Sequence, residues 1–285
     1  MNKTDIFTLH QYRIKVDTLS EPIYLIPFGD VHRHTKLCDV EKWIEFLDWA
    51  KSKPRIYFIG MGDYDDLMSA SERNTLKSAQ FHDTTIDTLD GIYEKYINEL
   101  YEEISFMSGK LIGLLEGNHY SMSDDGITST QRLCQKLKCK YLGVSSFIDL
   151  VFDYRDTSQS CSLDIWCHHG KGAARLIGGS LNSVQQMGEQ AQADIYLMGH
   201  DHKKSVGMTS KLCLNSGANG ITLKNRKQLY IRTGSFLRGY VDNHASYIAR
   251  MGLNPTDLGV VKIELTPRKR QENNGNLEID LHASI

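Results

Sequence analysis

Ile23-Tyr24-Leu25-Ile26-Pro27-Phe28 is six residues without a charge, and Gly29-Asp30-Val31-His32 follows at once. An apolar run this short, closed by a glycine, has the length of a strand buried on both faces rather than of a helix. The arrangement recurs. Arg55-Ile56-Tyr57-Phe58-Ile59-Gly60-Met61 is a second such strand and stops at Gly62-Asp63, and Leu111-Ile112-Gly113-Leu114-Leu115 is a third that ends in Gly117-Asn118-His119. Further strands are expected at 147–152, 163–167 and 194–198, the last two delivering His168-His169-Gly170 and Gly199-His200-Asp201-His202. Five strands thus end in Asp, Asn or His beside a glycine.

Amphipathic stretches separate these strands. Asp39 is placed to cap a helix whose apolar positions Val40, Trp43, Ile44, Leu47 and Ala50 share a face, and Pro54 ends it. A longer helix is expected over 81–107, from Ile86, Leu89, Tyr93, Tyr96, Leu100 and Ile104. Alternation of strand and helix argues for an α/β fold, and polar residues at the carboxyl ends of its strands converge on one edge. Beyond 205 the texture is β-rich: Gln228–Gly234, Gly259–Leu265 and Leu277–Leu281 read as strands of a second sheet, with Arg268–Asn276 as a hairpin loop. The chain is read as one domain, 1–285, with its core motifs in 23–205 and a β-rich part at 206–285.

Composition narrows the function. Of 285 residues 40% are hydrophobic, and 33 Lys and Arg stand against 35 acids for a net charge of -2, so no basic face argues for nucleic acid as partner. The start, Met1-Asn2-Lys3-Thr4-Asp5, has no apolar signal core and no run approaches a membrane span, so a cytoplasmic protein with no membrane association is expected. Six cysteines without a CxxC pair are expected to be reduced packing or surface thiols, Cys134 and Cys139 included. Trp43, Trp49 and Trp166 fit core positions, and His10, His82, His244 and His282 have no ligand-like partners.

The loop residues form an inventory of Asp30, His32, Asp63, Asp66, Asn118, His119, His168, His169, His200 and His202. Carboxylate, imidazole and amide donors without thiolate suit divalent manganese, iron, zinc or magnesium and argue against a structural zinc site. One ion closes with about four ligands. The inventory therefore fits two divalent metal ions sharing a carboxylate, roughly 3.5–4 Å apart, the arrangement used for in-line phosphoryl displacement. Taken singly each motif also has a plain reading as a turn or cap; five in order on one chain do not.

The set D-x-H, G-D-x-x-D, G-N-H, H-x-G and G-H-x-H, spanning residues 23 to 205, resembles the calcineurin-like metallophosphoesterases. The resemblance implies two mixed β-sheets sandwiched between helices and a binuclear centre, with manganese the first choice of metal. It makes Asp30, His32 and His202 ligands of one ion, Asp63 the bridge, and Asn118, His168 and His200 ligands of the other. It implies hydrolysis of a phosphate ester by metal-hydroxide attack, with His119 as general acid for the leaving oxygen and Asp66 orienting its imidazole. H-x-G selects His168 over His169 as the ligand, leaving His169 as a substrate contact or a support for a ligand. Arg33 and His34, next to the first motif, are candidate substrate contacts, and Arg232 or Arg238 is a candidate for reaching a phosphate. Leu67 and Tyr120 depart from phosphoprotein phosphatases, which often carry Arg and an acid there. Phosphodiesters, nucleotides or nucleic-acid ends among them, are therefore expected ahead of monoesters. The alternatives are a phosphomonoesterase using the same site and a non-catalytic interaction module.

Overall fold

Two mixed β-sheets, each parallel in part and antiparallel in part, lie face to face between helices. The computed structural model describes residues 9–68, 83–123, 125–172, 174–217, 220–269 and 275–285. The first sheet runs in the order β1 (His10–Val16), β6 (Ser145–Tyr154), β7 (Ser160–His168), β8 (Ile195–Met198), β10 (Gly220–Ser235), and β10 also pairs with β9 (Lys204–Gly217) and β11 (Gly259–Val260). The second runs β13 (Leu277–Ser284), β12 (Lys262–Lys269), β2 (Ile23–Phe28), β3 (Ile56–Gly60), β4 (Leu111–Leu114), β5 (Lys140–Tyr141). In the first, β7, β8 and β10 are parallel neighbours; in the second, β2, β3 and β4 are.

The alternation of side chains along each strand decides which layer it fills. On β2, Ile23 and Leu25 enter the core between the sheets, where they join Ile59, Ile112, Ile263 and Leu265 of their own sheet and Leu150, Ile165, Ile195 and Ile231 of the other. Ile26 and Phe28 point the opposite way, onto the helices α1 (Val40–Lys51), α2 (Asp83–Ile104) and α3 (Ser129–Leu137). Trp166, Tyr196 and Tyr230 on the outer face of the first sheet receive Val184 of α4 (Ile177–Gln185) and Met187. A strand apolar on both faces is what this four-layer stack demands.

Helix α1 starts where expected, Asp39 accepting a hydrogen bond from the Lys42 N–H at 3.0 Å. Its buried face is Trp43, Phe46, Leu47 and Ala50, whereas Val40 and Ile44 lie toward the edge of the arc and are about two-fifths exposed, at 39% and 40%. The expected face was rotated because it omitted Phe46. Helix α2 ends at Ile104 and passes into a 3-10 turn over Ser105–Met107; its expected start at 81 and His82 lie outside the described residues. The C-terminal strands do not form the second sheet by themselves. β9, β10 and β11 extend the first sheet, β12 and β13 complete the second, and the chain crosses from one to the other at Val261, which is fully buried. The expected 259–265 strand is therefore two strands in different sheets. β12 runs to Lys269, past the start expected for the hairpin loop, and residues 270–274 lie outside the described residues. All six cysteines are free thiols. Among the described residues no helix is long and apolar enough to cross a membrane.

Candidate metal centre

Parallel strands release their following loops side by side, and that positions the site. β2 and β3 are in register at Phe28 and Gly60. Beyond them the Asp30 N–H donates to Gly62 O at 2.9 Å, and the Val31 and His32 N–H groups both donate to Asp63 O, at 2.8 and 3.1 Å. The loop after β4 joins them through the His119 N–H, which donates to Asp63 Oδ1 at 2.8 Å. From the other sheet, β7 and β8 are in register at His168 and Met198, and the Gly199 N–H donates to His169 O at 2.9 Å. The His200 N–H closes the gap between sheets by donating to Asp30 Oδ2 at 2.8 Å.

These approaches leave no space for some side chains. A Cβ on Gly117 would lie 1.9 Å from Asp63 Oδ1, which is why the residue before Asn118-His119 is glycine. Backbone strain is concentrated here too. Nine non-glycine residues among those described have positive φ, and five are Asp30, His32, Asp63, His200 and His202. Each such residue costs on the order of 1–3 kcal/mol, and such strain gathers at functional sites.

The side chains meet in groups of donors. The ligand atoms of Asp30, His32 and His202 lie within 4.8 Å of one another, and so do those of Asp63, His169 and His200. Asp63 stands between the groups, its Oδ2 3.8 Å from His32 Nε2 and 3.3 Å from His169 Nε2. Asn118 Oδ1 is 3.0 Å from His169 Nε2 and 2.8 Å from His200 Nδ1. Two imidazoles are oriented from behind. His169 Nδ1 lies 2.7 Å from Met61 O and His32 Nδ1 lies 3.0 Å from Asp66 Oδ1. Donation from each Nδ1 leaves the Nε2 lone pair facing the site, the tautomer a metal ligand needs.

Asp30 Oδ1 and His32 Nε2 are buried without a hydrogen-bond partner among the described residues. An unpaired buried carboxylate oxygen is costly unless a cation meets it. The charges agree. Burial pushes Asp30 up to about 7, an effect opposed by His169 and reinforced by the neighbouring Asp63. Burial acts against charge on His169 as well, but the Asp63 carboxylate prevails and holds the imidazole at about 9, so this pair is ionic without an ion present. Burial lowers both His200 and His202, which favours the neutral form that can ligate. The donor set and its unpaired atoms fit divalent metal ions.

His119 belongs to a third cluster, with Asp66 and with His32 of the first group, whose donor atoms also lie within 4.8 Å of one another. Its Nδ1 is 3.1 Å from Asp66 Oδ1 though outside hydrogen-bond alignment, and its ring meets that of His32 edge-on at 4.9 Å. Asp66 touches both imidazoles; partial burial would raise it, yet its close contacts with His119 and His32 hold it below the usual carboxylate range. His32, Asp63, Asn118, His119, His200 and His202 line one cavity of about 440 Å³.

Four residues singled out in the sequence are placed differently from expectation. His168 is not in either donor group: it is half-buried, and its Nδ1 accepts from the Gly170 N–H at 2.7 Å. The reason is strand parity, since Leu163, Ile165 and Cys167 face the core between the sheets and His168 falls on the other face. His169, next in step with Cys167, reaches the centre instead. Arg33 turns onto α2, its Nε and Nη2 donating to Glu103 at 2.9 and 2.7 Å, with Trp43 Nε1 donating to the same carboxylate at 2.8 Å. His34 is likewise taken up, between Asp65 at 2.8 Å and Glu99 at 2.9 Å and stacked on Tyr96. Neither lines the cavity. Arg232 is a buried strut, donating to Ser180 O and Gly199 O. Sequence reasoning passed over Arg175 and Lys203, which line the cavity, as does Arg238.

No family model matches the chain, and no curated protein matches it. Among solved structures, Vps29 of Chaetomium thermophilum is similar at 10% identity and a TM-score of 0.35, over 92% of this chain and 93% of that one. Vps29 of Entamoeba histolytica, solved in complex with Zn²⁺, is similar at 11% identity and a TM-score of 0.38, over 92% of this chain and 99% of that one. At such scores the likeness carries no weight for the function, which rests on the geometry above.

Proposed function

We propose that the chain is a metal-dependent phosphoric ester hydrolase acting on phosphodiesters in preference to monoesters. Asp30, His32 and His202 would hold one divalent ion and Asn118, His169 and His200 a second, with the Asp63 carboxylate within reach of both sets. When bound, the pair supplies positive charge for the phosphoryl oxygens and a water acidic enough to attack phosphorus at neutral pH. The observation that carries this reading is the placement of Asp63 between two sets of buried donors, with Asp30 Oδ1 and His32 Nε2 otherwise unsatisfied.

The chain's own groups account for the rest. His119, which lines the cavity with Asp66 beside its Nδ1, gives a proton to the leaving oxygen. Its backbone bond to Asp63 Oδ1 ties the position of the acid to that of the shared ligand. In this reading four histidines serve as metal ligands while a fifth, His119, beside the Asp66 carboxylate, transfers a proton. The motif resemblance to calcineurin-like metallophosphoesterases supports the same roles, except that His169 replaces His168. The presence of His119 in the cavity favours catalysis over a bare interaction module.

Manganese-loaded protein should turn over bis(p-nitrophenyl) phosphate faster than p-nitrophenyl phosphate, and a chelator should abolish both. Faster monoester turnover would reverse the preference. A metal-loaded chain inert on both would leave the interaction module as the better account.

A further inference from the structure

The cavity over the candidate metal centre has a second wall, and that wall has its own chemistry. It is built from the segment after β10, where Leu237, Ile248 and Leu253 supply apolar surface and Asn254 and Thr256 supply polar groups. This wall is tied to the ligand loop. Ser235 Oγ donates to Asp30 O at 2.8 Å, the Phe236 N–H donates to the same oxygen at 3.1 Å, and Thr256 Oγ1 donates to Leu237 O at 2.9 Å. The apolar surface therefore stands at a fixed offset from Asp30 rather than on an independent flap.

The uncommitted charge around the cavity is positive. Asp63 and Asp66 are engaged by imidazoles, and Asp201 by Ser180 and Arg232. Arg175 is exposed and makes no hydrogen bond or ion pair among the described residues. Arg238 is held loosely, at 3.4 and 3.5 Å from two backbone oxygens and 4.0 Å from Asp39, with its side chain 43% exposed. A volume of about 440 Å³ is within the range of small-molecule sites. A phosphate-binding floor, an apolar wall, one uncommitted guanidinium and a second held only at long distances call for a ligand with a scissile phosphate, a flat apolar group and further negative charge.

We infer that the substrate is a nucleotide-type phosphodiester, its base lodged on Leu237, Ile248 and Leu253 and a neighbouring phosphate paired by Arg238 and Arg175. The inference rests on the hydrolase reading above, and the test separates the two. Steady-state kinetics of the manganese-loaded full chain are measured on bis(p-nitrophenyl) phosphate, on the dinucleotide TpT, and on its 5′-phosphorylated form pTpT. The wild type should have a lower KM for pTpT than for TpT. Arg238→Ala and Arg175→Ala should each move that KM ratio about tenfold toward one, the worth of a lost charge-assisted hydrogen bond. Arg238→Lys, which keeps the charge, should recover part of the ratio. Leu253→Asp should raise KM for both dinucleotides relative to bis(p-nitrophenyl) phosphate. A protein inert on all three probes would sink the hydrolase reading and this one with it. Turnover of bis(p-nitrophenyl) phosphate with no preference for pTpT, or with a ratio that both arginine variants leave in place, overturns the substrate class alone.

Discussion

His168 and His169 are adjacent and chemically identical, so the pair of alanine variants isolates position from chemistry. His169 Nε2 is 3.3 Å from Asp63 Oδ2 and its side chain is 4% exposed, against 2% for Asp63. Without metal, His169→Ala leaves Asp63 buried near Asp30 with its ionic partner gone, and breaking a buried pair in this way costs about 3–5 kcal/mol. His168→Ala loses a single 2.7 Å bond to the Gly170 N–H at a half-buried position, worth about 1 kcal/mol. With metal the contrast should be larger. Removing residues that merely support a ligand costs roughly 10–100-fold in affinity, so loss of the ligand itself should cost at least ~100-fold for one ion, or about 2.8 kcal/mol. Melting curves in chelator and metal content after dialysis against limiting manganese read the two effects separately. Because His169 titrates at about 9 in the fold against an ordinary 6.5, its contribution to metal-free stability is complete below about pH 6.5 and is lost as pH rises through 9. The melts of wild type and His169→Ala should therefore converge on the alkaline side. Retention of both ions by His169→Ala, with loss of one by His168→Ala, would refute the assignment.

Other variants probe other parts of the site. His119→Ala should keep both metals yet slow hydrolysis by roughly 10²- to 10⁴-fold, with a smaller penalty on p-nitrophenyl esters than on TpT because nitrophenolate leaves without a proton; equal penalties on the two would point to phosphate binding instead. Asp66→Asn should weaken metal retention as well as rate, since Asp66 Oδ1 meets both His32 Nδ1 and His119 Nδ1; metal affinity equal to wild type would remove it from the support of His32. Glu103→Ala strips Arg33 and Trp43 of their shared acceptor and should cost about 2–3 kcal/mol of stability, read by urea unfolding, with metal content retained; loss of metal would mean that Arg33 serves the site after all.

The sequence displayed most of this candidate centre because its donor side chains sit where strands end, and strand ends are marked by glycine. Phe28-Gly29-Asp30 and Gly60-Met61-Gly62-Asp63 announce themselves through the change from apolar to polar. Which of His168 and His169 faces the candidate centre is a question of parity, and Leu163, Ile165 and Cys167, which alternate toward the core, put 169 rather than 168 in step. Motif spacing alone points to 168 instead. Arg33 and His34 could not be placed by proximity in sequence, because their partners Glu103 and Glu99 lie on α2, some 65 to 70 residues away. The split of 259–265 between two sheets was equally hidden, since Gly259-Val260 and Lys262–Lys269 are both β-like and only tertiary pairing separates them. The long β9–β10 hairpin was missed for a related reason: Leu212, Leu214, Ile221 and Leu223 are largely exposed, and exposed apolar residues give no burial pattern to read.

Anomalous scattering from a crystal of the full chain soaked in manganese addresses the shared-ligand claim without intermediaries. Two peaks per chain are expected, roughly 3.5–4 Å apart, with the Asp63 carboxylate between them, Asp30, His32 and His202 around one and Asn118, His169 and His200 around the other. A single peak, or two peaks of which Asp63 touches only one, would contradict it.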